Sequence, residues 1–220
     1  MYRAENYFDL SGCLSEDFLK SFAEVWQALP KIKEFILELQ KNLPSEEYER
    51  WSEDVYVHTT AKVDETAIIQ GATIIAENVE IRPYSFIRAN ALVEAGTLIG
   101  YNCELKNVII LPDTQVAHFN YCGDSILGRH SHMACGAITS NVKGDHSLVT
   151  VNNGAEKIAT NLKKFGAILG DNTEVGCNAI LNPGSILGPQ SRVYPLSMMR
   201  GVLPPKSLFK NNGEIVKLED

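Results

Sequence analysis

From Val57 onward every sixth residue is aliphatic: Val57, Val63, Ile69, Ile75, Ile81, Ile87, Val93 and Ile99. Four residues after each stands a small or β-branched side chain: Ala61, Ala67, Thr73, Val79, Ser85, Ala91, Thr97 and Cys103. A helix repeats at about 3.6 residues and an ordinary strand at about 2, so neither yields a strict six. A parallel β-helix does. Each six-residue unit is then a short strand plus a corner, with the aliphatic side chain filling the interior and the small one fitting the tight space near the bend. Three units close one triangular layer of about 18 residues, and stacked layers bury a core that no single unit can bury.

The column continues through Leu105, Ile110, Val116, Cys122, Leu127 and Met133, and two of these steps are five residues long. Dropping one residue at a corner leaves the inward column intact, so these steps are read as shortened bends. After a break the six returns with Leu169, Val175, Leu181, Leu187, Val193 and Met199, and Thr173, Ala179, Ser185, Ser191 and Ser197 take the small positions. The reading is one solenoid over 55–210 with an inserted loop at 142–167, an N-terminal helical hairpin and connection over 1–54, and a tail over 211–220.

Ser15, followed by Glu16 and Asp17, predicts a helix start, because a hydroxyl caps free amides and carboxylates suit the positive end of the helix dipole. That helix is expected to run to Leu29, with Phe18, Phe22, Val25, Trp26 and Leu29 on one face and Pro30 as the break. A second, from Lys31 to about Asn42, carries Ile32, Phe35, Ile36 and Leu39. The pair is expected to cover the open first layer of the solenoid or to pack on a neighbouring subunit. The loop, rich in Gly, Asn and Lys, is expected to line a site, because long ordered loops inside a regular fold tend to be functional.

Twenty basic residues against 27 acidic ones give a net charge of −7, which argues against a nucleic-acid binder. Five cysteines without a tight pairing pattern fit reduced thiols in a cytosol. No apolar stretch reaches about 18 residues and no export signal opens the chain, so a cytoplasmic protein without a membrane span is expected.

Layer arithmetic brings polar residues together. Arg88 and Lys106 each follow an inward aliphatic three steps apart, so they share a column one layer apart, about 4.8 Å. Two cations that close call for an anion such as a phosphate or carboxylate ligand, or for a neutralising partner, Glu94 or Glu104. His118 falls at a corner leading onto that face, and Tyr121 stands above Glu104. An imidazole there is a candidate general base or a corner histidine bonded to backbone. His118, Cys122, His130, His132 and Cys135 do not converge under the hexad, so no metal site is expected.

The stretch from Arg88 to Asn141 resembles the acetyltransferase half of the bifunctional N-acetylglucosamine-1-phosphate uridyltransferase/glucosamine-1-phosphate acetyltransferase family. Arg88 and the lysine of ELKN, Lys106, fall on that family's phosphate-binding pair. In VAHFNYCGDS, His118 falls on its catalytic histidine and Tyr121 on its sugar-contacting tyrosine, and GAITSN carries Asn141 onto an asparagine of the loop that closes the site. The resemblance implies an all-β solenoid of hexapeptide repeats, here a left-handed parallel β-helix with a short N-terminal α-helical hairpin. It also implies a homotrimer and acetyl transfer from acetyl-CoA to an amino sugar.

The chain departs from that pattern. His132 stands where the family has a substrate-contacting asparagine, Val142 replaces a tyrosine, and Cys135 and Cys177 occupy small-residue positions near the coenzyme. The loop is longer, and two short helices stand in place of the nucleotidyltransferase domain.

The reading that follows is an N-acetyltransferase acting on an amino-sugar phosphate or a nucleotide-linked amino sugar. His118 is the base, Arg88, Lys106, Tyr121, Glu104, His132 and Asn141 face the acceptor, and Cys135, Cys177, Ala179 and Arg200 face acetyl-CoA. Gly184 and Lys206 are further candidates on the coenzyme side. The alternative is a sugar-nucleotide-binding module or trimeric scaffold that has lost the transfer activity.

Overall fold

The computed structural model describes residues 2–219, and their parallel strands wind into a three-faced solenoid. The first face stacks Val55–His58, Thr73–Ile75, Ala91–Val93, the ends of Glu104–Ile110 and Tyr121–Leu127, then Ala167–Leu169, Ser185–Leu187 and Val202–Leu203. The second stacks Ile68–Gln70, Phe86–Arg88, the beginnings of those same two long strands, Ile138–Thr139, Ile180–Leu181 and Met198–Met199. The third runs from Lys62–Val63 to Ser207–Phe209. The aliphatic column lines the interior as the sixfold spacing predicts: Ile81, Ile87, Val93, Ile99, Leu105, Ile110, Val116, Leu127, Met133 and Leu169 are all buried in one cluster.

Hydroxyls at the small positions knit successive layers. Ser85 Oγ donates to the Gly100 carbonyl at 2.7 Å, and Thr114 Oγ1 to the Gly128 carbonyl at 2.7 Å. Each bond satisfies a corner carbonyl that the strand ladder leaves free. The two five-residue steps fall at the corner between the second and first faces. The six-residue step from Ile87 to Val93 turns there on two left-handed residues, Ala89 and Asn90, whereas the short steps turn on one, Asn107 or Asp124.

The N-terminal segment differs from the expected pair of long helices. It forms α1 (Glu16–Lys20), a 3-10 stretch over Val25–Lys31 and α2 (Ile32–Leu39). Ser21 Oγ donates to the Phe18 carbonyl at 2.6 Å where α1 stops, and a reciprocal Glu24–Gln27 capping box starts the next stretch. The break frees the two halves of the apolar face to point different ways. Phe18 stacks on Phe35 with ring centroids 4.1 Å apart, while Val25, Trp26 and Leu29 turn onto the solenoid.

That contact is with the first face, not with the open end. Ile74, Leu92, Ile109, Ile126, Ile168 and Ile186 project outward from that face and are buried beneath Leu19, Trp26, Leu29, Ile32 and Ile36. The ends are covered by strands. Tyr48–Ser52 runs antiparallel to Val55–His58, and Ile215–Lys217, expected as an exposed tail, runs antiparallel to Ser207–Phe209. Such pairing occupies edges that would otherwise recruit another chain.

The inserted loop joins the same cover. Its hairpin, Thr150–Asn152 with Lys157–Ala159, places Val149 and Val151 beside Trp26 and Phe165, whose ring centroids lie 6.1 Å apart. A Cβ on Gly184 would stand 2.8 Å from Val149 Cγ1, and one on Gly201 would stand 2.4 Å from the Asn152 carbonyl oxygen. Both glycines are left-handed, so the crossing depends on them twice over.

Candidate active site

On the second face, Glu104 pairs with Phe86 and Tyr121, and Lys106 stands opposite Gly123. Arg88, Lys106 and Gly123 thus form one outward column, with Phe86, Glu104, Tyr121 and Ile138 in the next. The expected juxtaposition of Arg88 with Lys106 is present, and so is a neutralising partner for each. Arg88 Nη1 donates to Glu104 Oε1, and Lys106 Nζ donates to both Asp124 carboxylate oxygens at 3.1 and 3.2 Å.

Asp124, 4% exposed, is the residue the periodicity gave no reason to select. Besides Lys106 it accepts hydrogen bonds from Asn107 Nδ2 at 3.0 Å and from Asn141 Nδ2, and Asn141 Nδ2 also reaches the Tyr121 hydroxyl at 3.2 Å. Asn107 Nδ2 in turn donates to the Leu29 carbonyl at 3.1 Å, tying this network to the N-terminal segment. The signal for Asp124 lay in the shortened step from Cys122 to Leu127. With one residue dropped, the bend carries its polar side chain against the molecule instead of out at a wide corner. Burial pushes the Tyr121 phenol above its ordinary pKa, and the Asp124 and Glu104 carboxylates push the same way.

His118 is exposed at the corner between the third and second faces. Among the described residues its imidazole makes no hydrogen bond, and its neighbour is the Phe119 ring at 6.3 Å. Phe119, Tyr101 and Tyr84 continue down this corner as an edge-to-face ladder with centroids 5.2 and 5.7 Å apart. The ladder borders a groove of about 380 Å³ that Glu104, Tyr121, Phe86 and Ile138 also line. Backbone bonds from Gly136 N to the His118 carbonyl and from Asn178 N to the Cys135 carbonyl set His118, Cys135 and Cys177 in consecutive layers of one corner column.

Other candidates lie apart from this patch within the chain. His132 is on the third face, its Nδ1 2.9 Å from Glu174 Oε2. Arg200 follows Met199 on the second face, four layers beyond Lys106 and hence about 19 Å along the coil at ~4.8 Å per layer. Ala179 is fully buried, so its side chain packs the interior and offers the outside only backbone. Gly184 lies under the loop hairpin, and Lys206 lines a different groove, with His130 and Gln190. Lys143 Nζ bonds Ser147 Oγ within the loop. No group of three metal-ligating side chains converges among the described residues, and none of their helices is long and apolar enough to cross a membrane.

The fold defines a hexapeptide-repeat β-solenoid, and the polar patch beside His118 gives it a candidate centre. The resemblance read from the motifs extends to whole-chain comparison. The chain is 31% identical over 173 residues to the bifunctional protein GlmU of Methanococcus aeolicus, covering 70% of this chain and 42% of that one. It is 34% identical over 136 residues to GlmU of Methanococcus vannielii, covering 62% and 33%. With the bifunctional sugar-1-phosphate nucleotidylyltransferase/acetyltransferase of Sulfurisphaera tokodaii it shares 28% over 166 residues, covering 66% and 41%. The chain therefore spans less than half the length of these curated relatives, and the likeness is to their acetyltransferase half.

No protein-family model matches the chain. Among solved structures it aligns with the polysialic acid O-acetyltransferase OatWY at a TM-score of 0.44 and 16% identity, covering 75% of this chain and 85% of that one. It also aligns with a point mutant of AntD, an N-acyltransferase from Bacillus cereus, at 0.41 and 13%, covering 76% and 82%. Likenesses this distant carry no information about substrate.

Proposed function

We propose that this chain is an acetyl-CoA-dependent N-acetyltransferase whose acceptor is an amino-sugar phosphate or a nucleotide-linked amino sugar. The observation that carries the reading is the single network of Lys106, Asp124, Asn141 and Tyr121, with Arg88 and Glu104 alongside, on the second face whose other edge leads to the His118 corner. Acetyl-CoA supplies an activated acyl carbonyl. His118 accepts the proton that the acceptor amine sheds as it attacks, a general-base role open to an exposed imidazole. Arg88 and Lys106 hold the acceptor's phosphate, and Tyr121 and Asn141 orient its ring, so the amine meets the carbonyl in a fixed geometry.

Room for the coenzyme's thin arm is supported by the outward column next to His118. Gly100, Ala117, Ala134 and Gly176 are all small, and Ala134 and Gly176 line a groove of about 430 Å³ with His132 and Tyr194. Separation of His132 from the acceptor patch, together with an exposed apolar rim at Tyr84, Phe119, Leu196 and Met198, supports a homotrimer whose sites are completed between copies. A cytoplasmic enzyme drawing on the soluble coenzyme pool fits this reading.

The test is product formation from acetyl-CoA against a panel of amino sugars, sugar phosphates and nucleotide-linked amino sugars. His118→Ala is expected to lower turnover of the true acceptor roughly 100-fold or more, as loss of a general base does, without changing the melting temperature. Unchanged turnover would sink the mechanism. Sugar binding without any acyl transfer would favour a binding module, a reading that the two internally neutralised cations also support.

A further inference from the structure

The cysteines divide into two kinds. Cys13, Cys103 and Cys122 are buried, and burial pushes their thiols up to about 12, 11 and 12 respectively. Such groups hold little thiolate and react slowly. Cys135 is half-buried and Cys177 is exposed, and these two adjoin each other. The register on both sides fixes this: His132 and Met133 pair with Glu174 and Val175, Ile138 pairs with Ile180, and Asn178 N bonds the Cys135 carbonyl at 2.8 Å. Equal spacing before and after the corner puts Cys135 directly opposite Cys177. Adjacent strands lie about 4.8 Å apart, inside the ~4.4–6.8 Å Cα window of a disulfide, and residues of one column point the same way. The inserted loop separates the pair in sequence, so only the coil brings them together.

We propose that Cys135 and Cys177 are a redox-responsive dithiol that closes to an intrachain disulfide by exchange with a small-molecule disulfide. The Cys177 thiolate attacks one sulfur of the small disulfide and expels the other as a thiolate, which takes up a proton. The Cys135 thiolate then displaces the second small thiol from the mixed disulfide. Both electrons lost by the protein thiols reduce the small disulfide, and two small thiols leave. His118 is the next member of the same column, so closure draws the chain together beside the proposed base. The cross-link stands without the acyl-transfer reading; its effect on turnover rests on that reading.

The test exposes the native full-length chain to oxidised glutathione over a range of reduced-to-oxidised ratios, followed by non-reducing peptide mapping. The expected result is a linked pair of peptides carrying Cys135 and Cys177, lost on dithiothreitol treatment and absent in Cys177→Ser. Separate glutathione adducts, unmodified thiols, or links between copies of the chain would overturn the proposal. In the second arm, acetylated product is measured by mass before and after oxidation. Wild-type turnover is expected to fall roughly 100-fold, as displaced reacting groups cost, while the oxidised-to-reduced ratio in Cys177→Ser stays near unity. A cross-link without loss of turnover would overturn the blocking role. A cross-link in a protein whose reduced form acetylates no acceptor would overturn the acyl-transfer reading and leave the dithiol intact.

Discussion

Asp124 binds Lys106, Asn107 and Asn141 from beneath the second face, and through Asn141 it sets the Tyr121 hydroxyl. Its carboxylate is almost wholly enclosed, so removing it strands the Lys106 ammonium, whose side chain is only 19% exposed. Asp124→Ala is expected to cost about 3–5 kcal/mol, the usual penalty for breaking a buried pair from one side. Urea unfolding followed by far-ultraviolet dichroism reads this directly, and a loss within about 0.5 kcal/mol, ordinary for a surface change, would show the pair to be solvated. Arg88, Lys106, His118 and Tyr121 were legible because layer arithmetic places outward side chains as surely as inward ones. Asp124 was not, since a dropped residue erases the local period and leaves its direction to the bend.

The N-terminal segment is held by burial and by two carboxylates. Glu94 accepts from Leu14 N, Ser15 N and Ser15 Oγ, and Asp171 accepts from Asp9 N and Arg129 N. Trp26→Ala should destabilise the chain by about 3–5 kcal/mol, as truncation of a buried aromatic does, and a thermal shift series checks it. Burial pushes both carboxyls above their ordinary values, against the pull of the donors around them. The folded chain then keeps protons that the unfolded chain releases. Their contribution is fullest below the ordinary carboxylate pKa of about 4 and falls as pH rises through the raised values. Melting temperatures measured across that window should decline less steeply in Glu94→Gln than in the wild type, and parallel curves would remove Glu94 as a source. The amphipathic faces were visible in the sequence, but the docking surface went unread. Its signal was Ile74, Leu92, Ile109, Ile126, Ile168 and Ile186, each one place before an inward residue on the same face.

At the scale of the whole molecule, one group of exposed apolar residues runs along a single corner and the adjoining second face. Tyr84, Phe119 and Leu196 are bulky residues in the left-handed region, 58, 53 and 75% exposed, with Ile180 and Met198 beside them. Each carries roughly 1–2 kcal/mol of backbone strain, which a surface in contact with another copy would justify. Leu196→Glu combined with Met198→Glu is expected to convert a trimer to monomers by light scattering at unchanged helix and strand content. A wild type that is already monomeric would end the homotrimer reading.

By itself the sequence determined the coil: side chains six apart must share an interior, so the inward column, the small corners and the neighbourhood of Arg88 with Lys106 all follow from counting. Tertiary structure decided what lies over the coil and across its gaps. The N-terminal segment covers the first face because apolar area left outside a complete core is buried by whatever segment can reach it, and reach is set in space. For the same reason Asp124 joined the candidate site and Cys135 met Cys177, contacts that depend on a shortened bend and on where the chain resumes after a loop with no period of its own.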